Sequence, residues 1–180
     1  MFDLPLHPII VHFPIVLGLF LPVVLVAILW LQKKGRAEKG SWWGAVVISF
    51  LFLASAIVAN KTGEGDEDRV EKVVAHDIIH EHEEAAESLV VLAGVVFLLT
   101  VGATAWPKGG EHLKWVAVLG SLVAAAALVR TAHLGGELVY KHGAANAHVK
   151  GSGAGATPSL EREDHKDHED KYEESEDHHD

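Results

Sequence analysis

The chain has 180 residues, with 25 acidic side chains against 15 basic ones, for a formal charge of −10. Eleven acids and three bases in residues 161–180 put −8 of that charge at the end of the chain. The rest is close to neutral and offers no basic face for nucleic acid. With no cysteine, disulfides, thiolate metal sites and covalently attached c-type haem are excluded.

Four segments, 8–31, 42–60, 89–106 and 113–132, are each apolar over about the 20 residues that cross a ~30 Å hydrocarbon core. Each must satisfy its own backbone hydrogen bonds, so helices are the expected spanning form. The sequence therefore predicts an all-α fold: a four-transmembrane-helix bundle at 1–145, a flexible Gly/Ala/Ser linker at 146–160 and a disordered acidic tail at 161–180. The first apolar run does not read as a cleavable leader, because Asp3 and His7 stand where a basic region belongs and the run is long enough to span.

Span one opens with Leu4-Pro5-Leu6-His7-Pro8-Ile9-Ile10-Val11-His12-Phe13-Pro14-Ile15. An ionisable side chain just inside a membrane helix end is costly and marks a functional candidate. At about 100° per residue, His7 and His12 lie roughly 140° apart on a helix. His12 is expected to face inward, and His7 to cap the helix or meet solvent. Pro14 and Pro22 each remove a backbone donor inside the span and predict a bent helix, with Gly18 easing the clash one turn before Pro22.

The first connection carries Lys33, Lys34, Arg36 and Lys39, and the third Lys108 and Lys114, whereas the second connection and the tail are acidic. Basic short loops stay in the cytoplasm, so both termini are expected outside the cytoplasmic (inner) membrane of a bacterium. Trp30, Trp42, Trp43, Trp106 and Trp115 all fall at the opposite, inner ends, as an aromatic belt would.

In the second connection, Thr62-Gly63-Glu64-Gly65-Asp66 reads as a turn, and a helix is expected over 68–88 as an outward extension of span three. Ala75, Ile78, Ile79, His82, Ala86 and Leu89 share one face at helical spacing, which places His82 on the apolar stripe and His76, His80, Glu84 and Glu87 on another. At the end of span four, Arg130, His133 and Glu137 follow i, i+3, i+7, and Gly135-Gly136 permits a close approach to the backbone.

At about 1.5 Å per residue, His12 and His133 come within roughly a turn of one level, with His82 shallower. Three readings stay open for this group. Two histidines from facing helices can ligate b-type haem, with Arg130 on a propionate and Glu137 alongside. Imidazole and carboxylate together suit a zinc, copper or iron ion. The same groups can also act simply as polar contacts between helices. Nucleophilic catalysis finds no support: Ser55 and Ser121 lie in small-residue stretches suited to helix packing. Transport is an alternative, although an ion pathway would want ionisable residues near the midplane and spans two and three have essentially none. In the tail, His165, His168, His178 and His179 among dense carboxylates could bind zinc, nickel or copper weakly, or merely keep the segment solvated.

The stretch Leu6-His7-Pro8-Ile9-Ile10-Val11-His12-Phe13-Pro14-Ile15 resembles a bacterial family of small integral membrane proteins known as domain of unknown function 2231. So do Thr62-Gly63-Glu64, His82-Glu83-Glu84-Ala85-Ala86-Glu87, and His133-Leu134-Gly135-Gly136-Glu137-Leu138-Val139-Tyr140 with His142-Gly143 after it; the likeness covers roughly residues 4 to 145. The resemblance implies a four-span membrane domain, and relatives joined to cytochrome-type domains imply a redox setting. It also places His12, His82 and His133 inside the motifs.

The expectation is a small membrane protein with a histidine-rich outer site. In the favoured reading, His12 and His133 ligate haem b, with His82 as the replacement ligand, in an electron-transfer or anchor subunit of a membrane respiratory or redox complex. The alternative is a non-enzymatic structural subunit, or a metal-handling membrane protein without haem.

Overall fold

A computed structural model describes residues 6–106 and 109–148. Its elements are α1 (His7–Ile10), α2 (His12–Lys33), α3 (Trp42–Val70), α4 (His76–Ala105) and α5 (Gly110–Tyr140), with short 3-10 turns at Lys39–Ser41 and Ala144–His148. No strand occurs among the described residues. The four long helices, counting α1 and α2 as one span, are each long and apolar enough to cross a membrane. They form a ring in which α2 and α4 each pack against both α3 and α5.

Small residues let the helices approach closely, as membrane interfaces require. Ala45, Ser49, Ala56 and Ala59 line the inner face of α3, and Ala117, Ser121 and Ala124 that of α5. Larger side chains interdigitate between them: Leu21 and Leu25 from α2, Phe52 from α3 and Val96 from α4 are all but fully buried. A Cβ on Gly18 would stand 2.7 Å from Phe52 Cε2 and 2.8 Å from Leu128 Cδ2, so this glycine is required by packing against two neighbouring helices. Ser49 Oγ and Thr100 Oγ1 join across α3 and α4 at 2.8 Å, and each hydroxyl also reaches a backbone carbonyl of its own helix. The outer faces, with Phe20, Val23, Leu98 and Leu119, are apolar and exposed, as a surface turned to lipid must be.

The prolines of the first span cost it a hydrogen bond without breaking it. Pro14 has no N–H to give to the carbonyl of Ile10, but Val11, between α1 and α2, keeps helical dihedrals (φ −59°, ψ −22°), donates to the His7 carbonyl at 3.0 Å and accepts from Ile15 at 3.2 Å. Pro22 lies within an uninterrupted α2. At the far end, α2 stops at Gly35 (φ 67°), with Arg36 N–H donating to the Leu31 carbonyl at 2.9 Å in the glycine-terminated pattern of helix ends.

The turn expected at Thr62–Asp66 is absent. α3 runs through both glycines to Val70, and the chain reverses at residues 71–75 before α4 begins at His76 rather than near residue 68. Side chains in the extension support it locally: Asn60 donates to Glu64 at 3.0 Å, Lys61 pairs with Glu64 at 2.7 Å and Thr62 Oγ1 donates to the Ala59 carbonyl at 2.9 Å. Beyond the main core, Val74, Ile79, Leu138 and Ala144 form a second small apolar cluster that ties this reversal to the end of α5. Residues 146–148, expected to open the linker, lie in the 3-10 turn Ala144–His148; the rest of the expected linker and the acidic tail lie outside the described residues.

Candidate histidine site

The bundle has two chemically different ends. One carries Trp30, Trp42, Trp43, Trp106 and Trp115, and the other carries His7, His82 and His133. At the histidine end the inward histidine of span one is His7, and His12 is exposed. The buried face of α2 is Pro14, Gly18, Leu21, Pro22, Leu25 and Leu29. His7 lies seven residues before Pro14 and therefore on that stripe, since two helical turns return to nearly the same direction. His12 belongs to the opposite stripe with Val16, Leu19 and Val23, all exposed.

His7 Nδ1 lies 2.9 Å from the Ala59 carbonyl and 3.3 Å from Thr62 Oγ1. A carbonyl can only accept, so the contact fixes the proton on Nδ1 and leaves Nε2 with its lone pair. An imidazole oriented in this way through one nitrogen is the usual support for a metal-ligating histidine. Its ring rests on Gly63, where an added Cβ would meet His7 Cε1 at 3.2 Å. This explains a glycine in the middle of a helix, where it costs about 1 kcal/mol relative to alanine.

His82 reaches the same place from α4. Its ring centroid is 6.5 Å from that of His7, with the planes at 86°. It rests on α5 at Gly135, where a Cβ would stand 3.1 Å from His82 Cε1. The Thr131 backbone acts on the His82 ring as a hydrogen-bond acceptor at long range, short of the geometry of a full hydrogen bond. Among the described residues, His82 Nδ1 is the buried side-chain nitrogen or oxygen that has no hydrogen-bond partner. Such a group costs about 1–3 kcal/mol and calls for an explanation. One imidazole has its lone pair free, its neighbour has an unsatisfied ring nitrogen, and each lies in a notch that any side chain larger than hydrogen would fill.

The other sequence-predicted residues lie around this pair rather than in it. His133 is 73% exposed and pairs through Nε2 with Glu137 at 3.4 Å; Glu137 in turn meets Lys141. Together they run along one exposed face of α5 beside an open groove floored by Gly136. Arg130 reaches across to Glu81 of α4 at 3.5 Å, with both side chains exposed. The expected convergence of His12, His133, Arg130 and Glu137 is replaced by a His7–His82 pair, with exposed ion pairs outside it. His165, His168, His178 and His179 lie outside the described residues.

Haem can be tested against this geometry. The hydrogens of Gly63 and Gly135 face the imidazoles themselves, so the space these glycines provide is already taken by the rings and is not left for a macrocycle. Two open surface grooves of about 600 and 370 Å³ are lined by Glu84, Glu87, Ser88, Val91 and Leu92 and by the His133–Glu137 face, apart from His7 and His82.

The family model described as a predicted membrane protein, domain of unknown function 2231, matches residues 3–148. The match covers most of the chain, including all four spans and both histidines, and the chain belongs to this family. No match was found among curated proteins or solved structures.

Proposed function

We propose that this multi-pass membrane protein handles a transition-metal ion at its histidine end, with His7 and His82 as the protein ligands. The observation that carries the reading is the unpartnered, buried Nδ1 of His82 beside a His7 whose own Nδ1 is already engaged by the Ala59 carbonyl. Neutral imidazole suits zinc, copper and iron, and with nitrogens at about 2.0–2.1 Å from one zinc ion the two rings would close by roughly 1 Å from their present spacing. Solvent or a partner's ligand would complete the coordination, which suits uptake or transfer of the ion more than a closed structural site. The basic 33–39 loop belongs in the cytoplasm by the charge rule, so the histidine end and both termini face outward, and the protein sits in a bacterial inner membrane.

A second reading rests on one specific feature. Two imidazoles from different helices oppose each other with nearly perpendicular planes, as the axial ligands of b-type haem can. In that case His7 and His82 would be the ligands, and the protein would serve as an electron-transfer or anchor subunit of a membrane redox complex. Elemental analysis and a reduced-minus-oxidised optical spectrum on one detergent-purified sample separate the two. Metal without a Soret band supports the ion, and a Soret band lost in His7→Ala and His82→Ala supports haem. A protein that is colourless and metal-free after metal- and haem-replete expression defeats both.

A further inference from the structure

The connection between α2 and α3 sets four cations, Lys33, Lys34, Arg36 and Lys39, against a single acid, Glu38. All four cations are exposed, and the ion pairs among the described residues involve none of them. Elsewhere the fold does supply carboxylates: Lys61 meets Glu64, Lys114 meets Glu111, Arg130 meets Glu81 and Lys141 meets Glu137. The connection is nonetheless fixed in shape. Gly35 turns the chain, Arg36 N–H donates to the Leu31 carbonyl at 2.9 Å and Ser41 Oγ donates to the Glu38 carbonyl at 2.7 Å. Gln32 Nε2 braces it through the Glu38 and Lys39 carbonyls, and Gln32 Oε1 accepts from the buried Lys114 ammonium at 3.0 Å.

Aromatic side chains on either side set the level of this connection. Trp30 in the last turn of α2 and Trp43 in the first turn of α3 are 52% and 60% exposed on the outside of the bundle. Indole rings that face lipid settle at the headgroup level of a bilayer. Cations beside them lie against lipid phosphate, and each Lys or Arg near an anionic surface strengthens binding by about fivefold. A loop that is already ordered loses little further freedom when a phosphate docks. Orientation in the membrane depends only on the number of Lys and Arg in a loop and requires no such brace.

We infer that the loop from Lys33 to Lys39 is a docking surface for anionic phospholipid headgroups. The lysine ammonium groups act as point charges on the phosphodiester, and the Arg36 guanidinium offers it a planar, two-pronged donor. Trp30 and Trp43 pack beside the acyl chains of the same lipids. This surface lies at the opposite end of the bundle from His7 and His82, so it stands independently of the metal reading.

The test is quenching of tryptophan fluorescence by lipids with brominated acyl chains, with the full chain reconstituted in bilayers. Brominated phosphatidylglycerol is compared with brominated phosphatidylcholine at equal mole fraction. The parent should prefer phosphatidylglycerol by about tenfold or more, and the preference should shrink at roughly 0.5 M salt. Lys34→Gln/Arg36→Gln should lower the preference by about fivefold or more, while Lys33 and Lys39 keep the loop positive. Lys61→Gln/Lys141→Gln removes the same charge at the histidine end and should leave the preference within about twofold of the parent. Equal quenching of the parent by the two lipids overturns the surface, because the loop's charge would then serve orientation alone. So does an undiminished preference in Lys34→Gln/Arg36→Gln, or an equal loss in both variants when both are as helical as the parent; net charge rather than the loop would then attract the lipid.

Discussion

The two ends of the bundle each draw an ionisable side chain inward and treat it in opposite ways. At the tryptophan end Lys114 is buried, yet every direction its ammonium faces is answered: Glu111 at 2.7 Å, Gln32 Oε1 at 3.0 Å and the Trp42 ring at 5.3 Å. Gln32 passes the contact on, donating to the Glu38 and Lys39 carbonyls and to Ser41 Oγ. Trp42, 1% exposed, is no member of an aromatic belt; its indole N–H donates to the Thr100 carbonyl at 3.0 Å. At the histidine end His82 is drawn in without such completion. A satisfied buried charge stitches helices together, whereas the buried ring nitrogen of His82, beside a second imidazole, is a polar atom for which the fold supplies no full hydrogen bond.

Substitutions can break this contrast, beginning with the ligands. His7→Ala or His82→Ala should weaken binding of the ion at least 100-fold, about 2.7 kcal/mol at 25 °C. Thermal stability without metal should stay nearly unchanged in His82→Ala, which removes an unsatisfied group, and fall by about 1 kcal/mol in His7→Ala, which loses the bond to the Ala59 carbonyl. A large loss of stability with unaltered metal content would reverse the roles assigned to the two ends. Lys114→Ala should do the opposite: a loss of about 2 kcal/mol of stability, typical of hydrogen bonds to a charged group, with metal affinity preserved. Denaturant-induced loss of helicity in detergent would measure it.

Positioning effects come next. Thr62→Val and Gly135→Ala leave both ligands in place but disturb how the rings are held. Each should weaken the ion roughly tenfold, at the lower end of what loss of outer-sphere support costs. The Gly135 change acts by pressing a Cβ to 3.1 Å from His82 Cε1. The smallest effect is expected at His12 and His133. Alanine at either should leave affinity within about twofold, because both side chains are exposed. A tenfold loss at His12 would restore the ligand pair expected from the sequence.

The four spans were legible because length and apolarity suffice to identify a membrane helix. The ligand was harder to read. In a soluble helix the buried face is the apolar one, but every face of a membrane span is apolar, and the inward stripe is marked instead by small and awkward residues. Pro14, Gly18 and Leu21 trace that stripe, and His7 lies two turns before Pro14 on it; this spacing could have identified His7 from the sequence. The amphipathic reading of α4 succeeded at His82 because its first three turns lie beyond the continuous apolar segment and alternate polar with apolar faces, with Ile79, Ala85 and Leu89 buried beside it. The helix through Gly63 and Gly65 was missed because glycine pairs usually punctuate turns. Here Gly63 serves the His7 ring, a reason visible only once α1 is packed on α3.

X-ray absorption at the zinc K-edge of the detergent-purified protein loaded with Zn²⁺ reads the ligands of the ion. The account predicts imidazole scattering from two histidines, with nitrogens at about 2.0–2.1 Å for zinc, lost in the His7→Ala/His82→Ala double variant and retained in His12→Ala/His133→Ala. An imidazole signature unchanged by the first pair and abolished by the second would contradict it.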